Sequence, residues 1–180
     1  MREMIRLGGR LLLIALIAGL ALGATYVITK EPIAEQTRLA AEQARTKVLS
    51  GNFTQDTTTA LPQGVLGLYV DAETGGRVLE VEASGYAGAF VVTVGVDGNG
   101  VVRGVVVGSN NETPGLGKNA GKESFTGQFA GKDGAITVKK GGGATGNEVD
   151  ALTGATITSQ AVTDAVNRAR DFALSIEVKP

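Results

Sequence analysis

An uncharged apolar run, LLLIALIAGLALGATYVI, occupies Leu11 to Ile28 and constrains everything that follows it. As a helix, a stretch of this length matches the hydrocarbon thickness of a bilayer. Arg2, Arg6 and Arg10 precede it and Lys30-Glu31 follows, so the basic excess lies on the N-terminal side. The positive-inside rule then keeps the N-terminus in the cytoplasm and exports the remainder, with Tyr26 at the outer interface. A cleavable signal peptide shares the basic start, the apolar centre and small residues such as Gly23 and Ala24, but its apolar region is ordinarily shorter. A buried core helix fits poorly, because no face of the run is polar enough to meet solvent. Residues 1–30 are therefore expected to be a cytoplasmic N-terminus and a single-pass transmembrane anchor in the cytoplasmic (inner) membrane. The lipid bilayer is the first partner, and the C-terminal domain is periplasmic or extracellular.

Pro32 suits the first turn of a new helix, and Ile33, Thr37, Ala40, Ala44 and Val48 recur behind it at helical spacing. Residues 31–60 read as a helical stalk and linker, closing in the polar loop NFTQDTTT, Asn52 to Thr59. The pattern changes across residues 61–180. LGLYVDA, RVLEVEA, AFVVTVGV and VVRGVVVGS read as strands. ETGG joins the first pair and Asp97-Gly98-Asn99-Gly100 the last, which is turn chemistry for antiparallel hairpins and predicts a meander.

The connection NNETPGLGKNAGKESFTGQFAGKDG holds at most a short helix around Glu123 to Phe129, and a segment this long is uncommon unless functional. AITVKK, Ala135 to Lys140, offers one more strand. The last helix starts near Thr156 or Thr158, either of which suits an N-cap, and presents Ile157, Ala161, Ala165, Ala169, Phe172 and Ile176 on one stripe. Strand runs followed by a terminal helix predict an α+β class: an N-terminal transmembrane helix followed by one exported domain with an antiparallel sheet packed against helices.

Composition removes several functions. The 180-residue chain carries a net charge of −1 with only 4 % aromatic residues, so neither a basic surface nor a stacking platform for nucleic acid exists. With no Cys and no His, it lacks the usual zinc, haem and iron–sulfur ligands, the thiol nucleophile and the imidazole base. Any redox chemistry must come from a bound organic group that the fold orients and tunes. The glycine run GGGATG, Gly141 to Gly146, satisfies a dinucleotide fingerprint only by spelling, since the next helix starts some ten residues later and no second parallel strand follows. The Gly-Lys pairs at Lys118, Lys122 and Lys132 lack both the upstream glycine and the following Ser or Thr of a phosphate loop.

DALTGATITS, Asp150 to Ser159, remains. Thr156 falls where helix N–H groups are unpaired and the helix dipole favours an anion, and Gly154-Ala155 leave room for a bulky group near the backbone. An ordinary cap is the local alternative. The run Asp150-Ala151-Leu152-Thr153-Gly154-Ala155-Thr156 resembles the Asp-x-x-Ser/Thr-Gly-Ala-Ser/Thr signature of domains that carry FMN on a phosphoester to the final hydroxyl residue. Gly85-Tyr86-Ala87-Gly88, VVTVGVDGNGVVRGVVV, SFTGQFAGK and, above all, Glu112-Thr113-Pro114-Gly115-Leu116-Gly117 are similar to stretches of the G subunits of Rnf electron-transport complexes. The C subunit of sodium-pumping NADH:quinone oxidoreductase shares the motif and is the nearest alternative; a flavin-free, membrane-tethered binding module is the alternative from another class.

The resemblance implies a membrane-anchored flavoprotein, a redox subunit of an ion-translocating complex rather than a stand-alone enzyme. It would relay electrons among other Rnf subunits that couple ferredoxin and NAD to ion transport. It also implies a magnesium-dependent flavin transferase as maturation partner, moving the FMN half of FAD onto Thr156 as AMP leaves. On that reading Thr156 bears the covalent FMN. Asp150, Thr153, Gly154 and Ala155 form the sequence the transferase reads, with Asp150 helping to place its metal. Glu112, Thr113, Pro114, Gly115, Leu116 and Gly117 form a rigid loop against the flavin ring, and Tyr86 either packs near the ring or fills the core. No residue is assigned to bond-making catalysis or to a resident metal.

Overall fold

The computed structural model describes residues 2–176 and divides into two compact units, Met1–Ala41 and Glu42–Pro180. Helix α1 spans Arg2–Val48 and contains the one segment, among the described residues, long and apolar enough to cross a membrane. The side chains of Leu12, Leu20 and Leu22 on this run are exposed rather than packed within the protein. The helix expected to start afresh at Pro32 does not: Pro32 lies inside α1. Proline removes one rung of the hydrogen-bond ladder, but its fixed φ is helical, so good helix formers on both sides carry the helix past it.

In the second unit, β1 (Thr54–Gln55), β2 (Val65–Val70), β3 (Arg77–Ser84), β4 (Ala89–Val96) and β5 (Val102–Val107) form an antiparallel sheet in chain order. The meander follows from its turns. Asp71 exchanges hydrogen bonds with Gly75 and Gly76 across the β2–β3 link, and Asp97 accepts from the N–H groups of Asn99 and Val101 across the β4–β5 link. The polar stretch read as pure loop contributes the two-residue edge strand β1, paired with Tyr69 and Val70 of β2. The short helix α2 (Glu123–Thr126) stands between two turns of 3-10 helix in the long connection. Strand β6 (Thr137–Lys139) pairs in parallel with β7 (Glu148–Asp150), a strand too short to show a period in the sequence. Helix α3 spans Thr156–Ser175.

One face of the sheet packs on α3. Leu79, Val81 and Ala83 of β3 and Val92, Val94 and Val96 of β4 are buried with Val162, Ala165, Val166, Ala169 and Ala173 of the helix. Fully burying each such Val or Leu contributes roughly 1.5–3 kcal/mol. The buried helix face is rotated from the expected stripe: Ala165 and Ala169 lie in it, while Ile157 is exposed and Val162 and Val166 replace it. Phe125 and Phe129 close the core from the long connection, edge to face with ring centroids 5.5 Å apart.

The other face takes the end of α1. Gly95 of β4 pairs with Gly104 of β5, and a Cβ on Gly95 would lie 2.6 Å from the Val48 carbonyl oxygen. This glycine pair lets the last turn of α1 rest its backbone on the sheet. Nearby, Arg45 binds Glu80 at 3.2 Å and stacks over the Tyr69 ring at 4.1 Å.

Candidate functional site

Strand β7 delivers the chain into the motif, and Ser159 then fixes its shape. The buried Ser159 hydroxyl accepts from the Leu152 N–H at 2.9 Å and donates to the Ala155 carbonyl at 2.9 Å. Gly154 makes the turn at φ +74°, in the left-handed region open to glycine. Helix α3 opens at Thr156 with Ala155 at the N-cap, and no side chain caps it. The expected threonine cap is therefore absent: Ala155 has no side-chain oxygen, and the Thr158 hydroxyl is engaged elsewhere. The first-turn N–H groups lack intrahelical acceptors and lie at the positive end of the helix dipole.

Thr158 reaches the second motif. Its hydroxyl donates to Glu112 Oε2 at 2.7 Å, while Glu112 Oε1 accepts from the Ala87 N–H at 2.9 Å in the turn between β3 and β4. Glu112 is only 4 % exposed. Gly117 lies directly against this pair, since a Cβ there would collide with the Glu112 carboxylate and the Thr158 hydroxyl. The rest of the loop is self-supporting. The Thr113 carbonyl accepts from the Leu116 and Lys118 N–H groups at 3.1 and 3.2 Å, and Gly115 turns at φ +80°.

Between these elements lies a cavity of about 590 Å3. Glu112, Thr113, Leu116 and Gly117 form one wall, Gly154 through Thr158 another, and Tyr86 a third. Tyr86, Leu116 and Ile157 present exposed apolar surface around it. Tyr86 thus lines the cavity instead of filling the core, and the half-buried Thr156 lines it too.

Two motif positions face elsewhere. Asp150 and Thr153 line a separate cavity of about 660 Å3 with Ser124, Gln128 and Lys132. Asp150 is engaged by its own fold: Oδ1 accepts from the Ala144 N–H at 2.8 Å, and its N–H donates to Gln128 Oε1 at 2.7 Å. Pro114 and Gly115 sit exposed on the loop without lining the first cavity. Ile157 and Thr158 do line it. By sequence Thr158 reads only as a cap and Ile157 only as core, although both sit within one helical turn of Thr156.

The glycine run is occupied by acids. Glu148 accepts from the Thr145 N–H at 3.1 Å and from Lys139 Nζ at 3.3 Å, and these bonds hold its carboxyl below the usual glutamate range. With Asp150 on Ala144 and Glu148 on Thr145, the run faces carboxylates, an arrangement opposed to phosphate binding.

Residues 85–171, which include both loops and most of α3, match the FMN-binding domain family, and residues 1–48 match the RnfG N-terminal region. The chain is 38 % identical over 154 residues to the G subunit of the proton-translocating ferredoxin:NAD(+) oxidoreductase complex of Clostridium ljungdahlii, covering 85 % of this chain and 82 % of the relative. It is 33 % identical over 182 residues to the Na(+)-translocating counterpart of Acetobacterium woodii, covering 90 % and 87 %. Identity to the G subunit of the ion-translocating oxidoreductase complex of Escherichia coli is 35 % over 187 residues, covering 91 % and 89 %. Among solved structures, the C subunit of the Na(+)-translocating NADH-quinone reductase of Parabacteroides distasonis shares the fold with a TM-score of 0.50 at 23 % identity, over 63 % of each chain. With relatives matched over nearly their whole length and both of its regions recognised, the chain belongs to the family of G subunits of Rnf-type ion-translocating oxidoreductase complexes.

Proposed function

We propose that this chain is a membrane-anchored electron carrier whose FMN is joined by a phosphoester to Thr156. The observation that carries the reading is the position of Thr156 at the uncapped start of α3, opening onto a cavity walled by both sequence motifs. Unpaired N–H groups at a helix N-terminus suit a phosphate, and Gly154 leaves the approach to the backbone clear. Tyr86, Leu116 and Ile157 supply an apolar surface of the kind a flavin ring packs on. Backbone groups of the Glu112–Gly117 loop stand ready to hydrogen-bond a ring edge and shift its potential. When bound, FMN supplies the one- and two-electron chemistry that this Cys-free, His-free chain lacks.

The attachment is made by a separate flavin transferase: the Thr156 oxygen forms the new bond to the FMN phosphate of FAD, the pyrophosphate bond breaks, and AMP leaves. The hydroxyl proton passes to a base on that enzyme, because no histidine exists in this chain to take it. Thr153 and Asp150 lie on the face that the transferase reads. The N-terminal helix anchors the domain in the membrane with the N-terminus in the cytoplasm, and the exported domain exchanges electrons with other subunits of an Rnf-type complex linked to ferredoxin, NAD and ion transport.

The test is the intact mass of the denatured full chain from cells that contain a flavin transferase, followed by peptide mapping. The expected adduct is FMN less one water on the peptide containing Thr156, absent from Thr156→Ala and retained in Thr156→Ser. An unmodified wild-type chain beside an active transferase returns Thr156 to a purely structural role.

A further inference from the structure

At the far end of α3 from the motif, Arg77 begins β3 with its side chain on the helix-facing side of the sheet, in the same alternation as Leu79 and Val81. It is only 4 % exposed. Nη2 donates to the Ile176 carbonyl at 2.9 Å, and Nε has no hydrogen-bond partner. No carboxylate among the described residues forms an ion pair with it. Such a charge is costly, because burial strips its water and no opposite charge replaces it.

Arg77 lines a cavity of about 510 Å3. Thr54, Thr57 and Thr59 contribute to its wall, and Val70, Ala72 and Ile176 give it an apolar side. Asp56 also borders it, but its carboxylate is consumed by its own loop. Oδ1 accepts from the N–H and hydroxyl of Thr58 and from the Thr59 N–H, and Oδ2 accepts from the Thr59 hydroxyl. Those bonds, the Thr59 hydroxyl's first, hold the Asp56 carboxyl far below the usual aspartate range, so an acid entering the cavity meets a negative charge as well as the arginine.

From this arrangement we infer that the cavity at Arg77 is a binding site for a small monocarboxylate with a short apolar body. A guanidinium presents a planar fork matched to a carboxylate. One cation beside the satisfied Asp56 favours a singly charged ligand over phosphate, whose second charge Asp56 would repel. Val70, Ala72 and Ile176 provide the surface for the apolar body, and the Thr57 hydroxyl can donate to a carboxylate oxygen, those of Thr54 and Thr59 being committed to the Val70 carbonyl and to Asp56. The site is independent of the flavin reading, because none of its residues borders the Thr156 cavity.

The experiment is an NMR titration of the full-length, isotope-labelled chain in detergent, following the Arg77 side-chain Nε–H and the Thr57 and Thr59 amides. Sodium butyrate is the probe, with butyramide and inorganic phosphate as controls at constant ionic strength. The expected result is a saturable shift of these signals with butyrate alone, lost in Arg77→Gln and weakened in Arg77→Lys, which keeps the charge without the fork. Because Arg77→Gln can unfold the domain, the wild-type titration and Arg77→Lys decide the matter without it. No saturable response to butyrate, or an equal response to butyramide, overturns the site. Stronger binding of phosphate overturns the assignment to a monocarboxylate, and stronger binding of N-acetylglutamate amide reassigns the cavity to a partner's acidic side chain. Glu177, outside the described residues, is the internal competitor: if Glu177→Gln moves the Arg77 signal without butyrate, the charge is answered within the chain and the ligand site is wrong.

Discussion

The Thr158 hydroxyl donates a 2.7 Å hydrogen bond to Glu112 Oε2, joining residues 46 positions apart and locking the start of α3 to the Glu112–Gly117 loop. The bond is buried, and its acceptor also holds the Ala87 N–H, so one carboxylate fixes three segments around the Thr156 cavity. Thr158→Val keeps the shape but leaves that carboxylate short of a donor. The expected cost is about 1–3 kcal/mol of stability by urea denaturation, with Thr158→Ser close to wild type. Equal stabilities for the valine and serine variants would show that the bond contributes nothing.

Gly154 turns at φ +74°, and a Cβ placed on it would lie 3.0 Å from Leu116 Cδ2. The leucine tip can give way, but the backbone conformation cannot be relieved. Gly154→Ala is expected to lose about 1–2 kcal/mol from left-handed strain and to carry less FMN when expressed beside a transferase. A variant with wild-type stability and full flavin content would mean that the turn tolerates a side chain.

Ser159 acts on the same loop from below. Ser159→Ala removes the acceptor of the Leu152 N–H and the donor to the Ala155 carbonyl. A loss of about 1–3 kcal/mol is expected, together with faster hydrogen exchange at Leu152. Unchanged exchange at that amide would separate Ser159 from the order of the motif.

Acid should weaken the β2–β3 turn. The Thr74 hydroxyl, followed by the Glu73 N–H, holds the Asp71 carboxyl below its ordinary value of 3.8. The folded value is the depressed one, so the stabilisation is present above pH 3.8 and is lost as pH falls through the lower folded value. Asp71→Asn should flatten that part of the stability profile in denaturation midpoints measured across the acid range; an unaltered acid limb would remove Asp71 as its source.

Two truncations separate the anchor from the fold. Removing residues 1–41 keeps Arg45 and Val48 and should release a soluble, folded domain. Removing residues 1–48 strips Val48 from the Gly95–Gly104 pair and Arg45 from Glu80, whose carboxyl burial already pushes upward. The second fragment should be less stable by at least the roughly 1.5–3 kcal/mol of one buried valine. Membrane retention of the shorter deletion product would contradict a single anchor.

What the sequence determined by itself was local. The apolar run, the alternating strands and the Asp-Gly and Gly-Gly turns each encode their structure within a few residues, so the membrane-length helix and the antiparallel meander were legible. The pairing of the Thr-Gly-Ala-Thr motif with the Glu112 loop came from resemblance; only the fold brings the two onto one cavity. Tertiary structure alone decided which residues face that cavity. Thr158 left the cap role because a buried carboxylate from the loop claimed its hydroxyl, and the Asp150 carboxylate turned away to the Ala144 N–H of the glycine run. The passage of α1 through Pro32 and the seating of Val48 on two glycines were equally invisible, since both depend on contacts and helix continuity that outweigh a single residue's local preference.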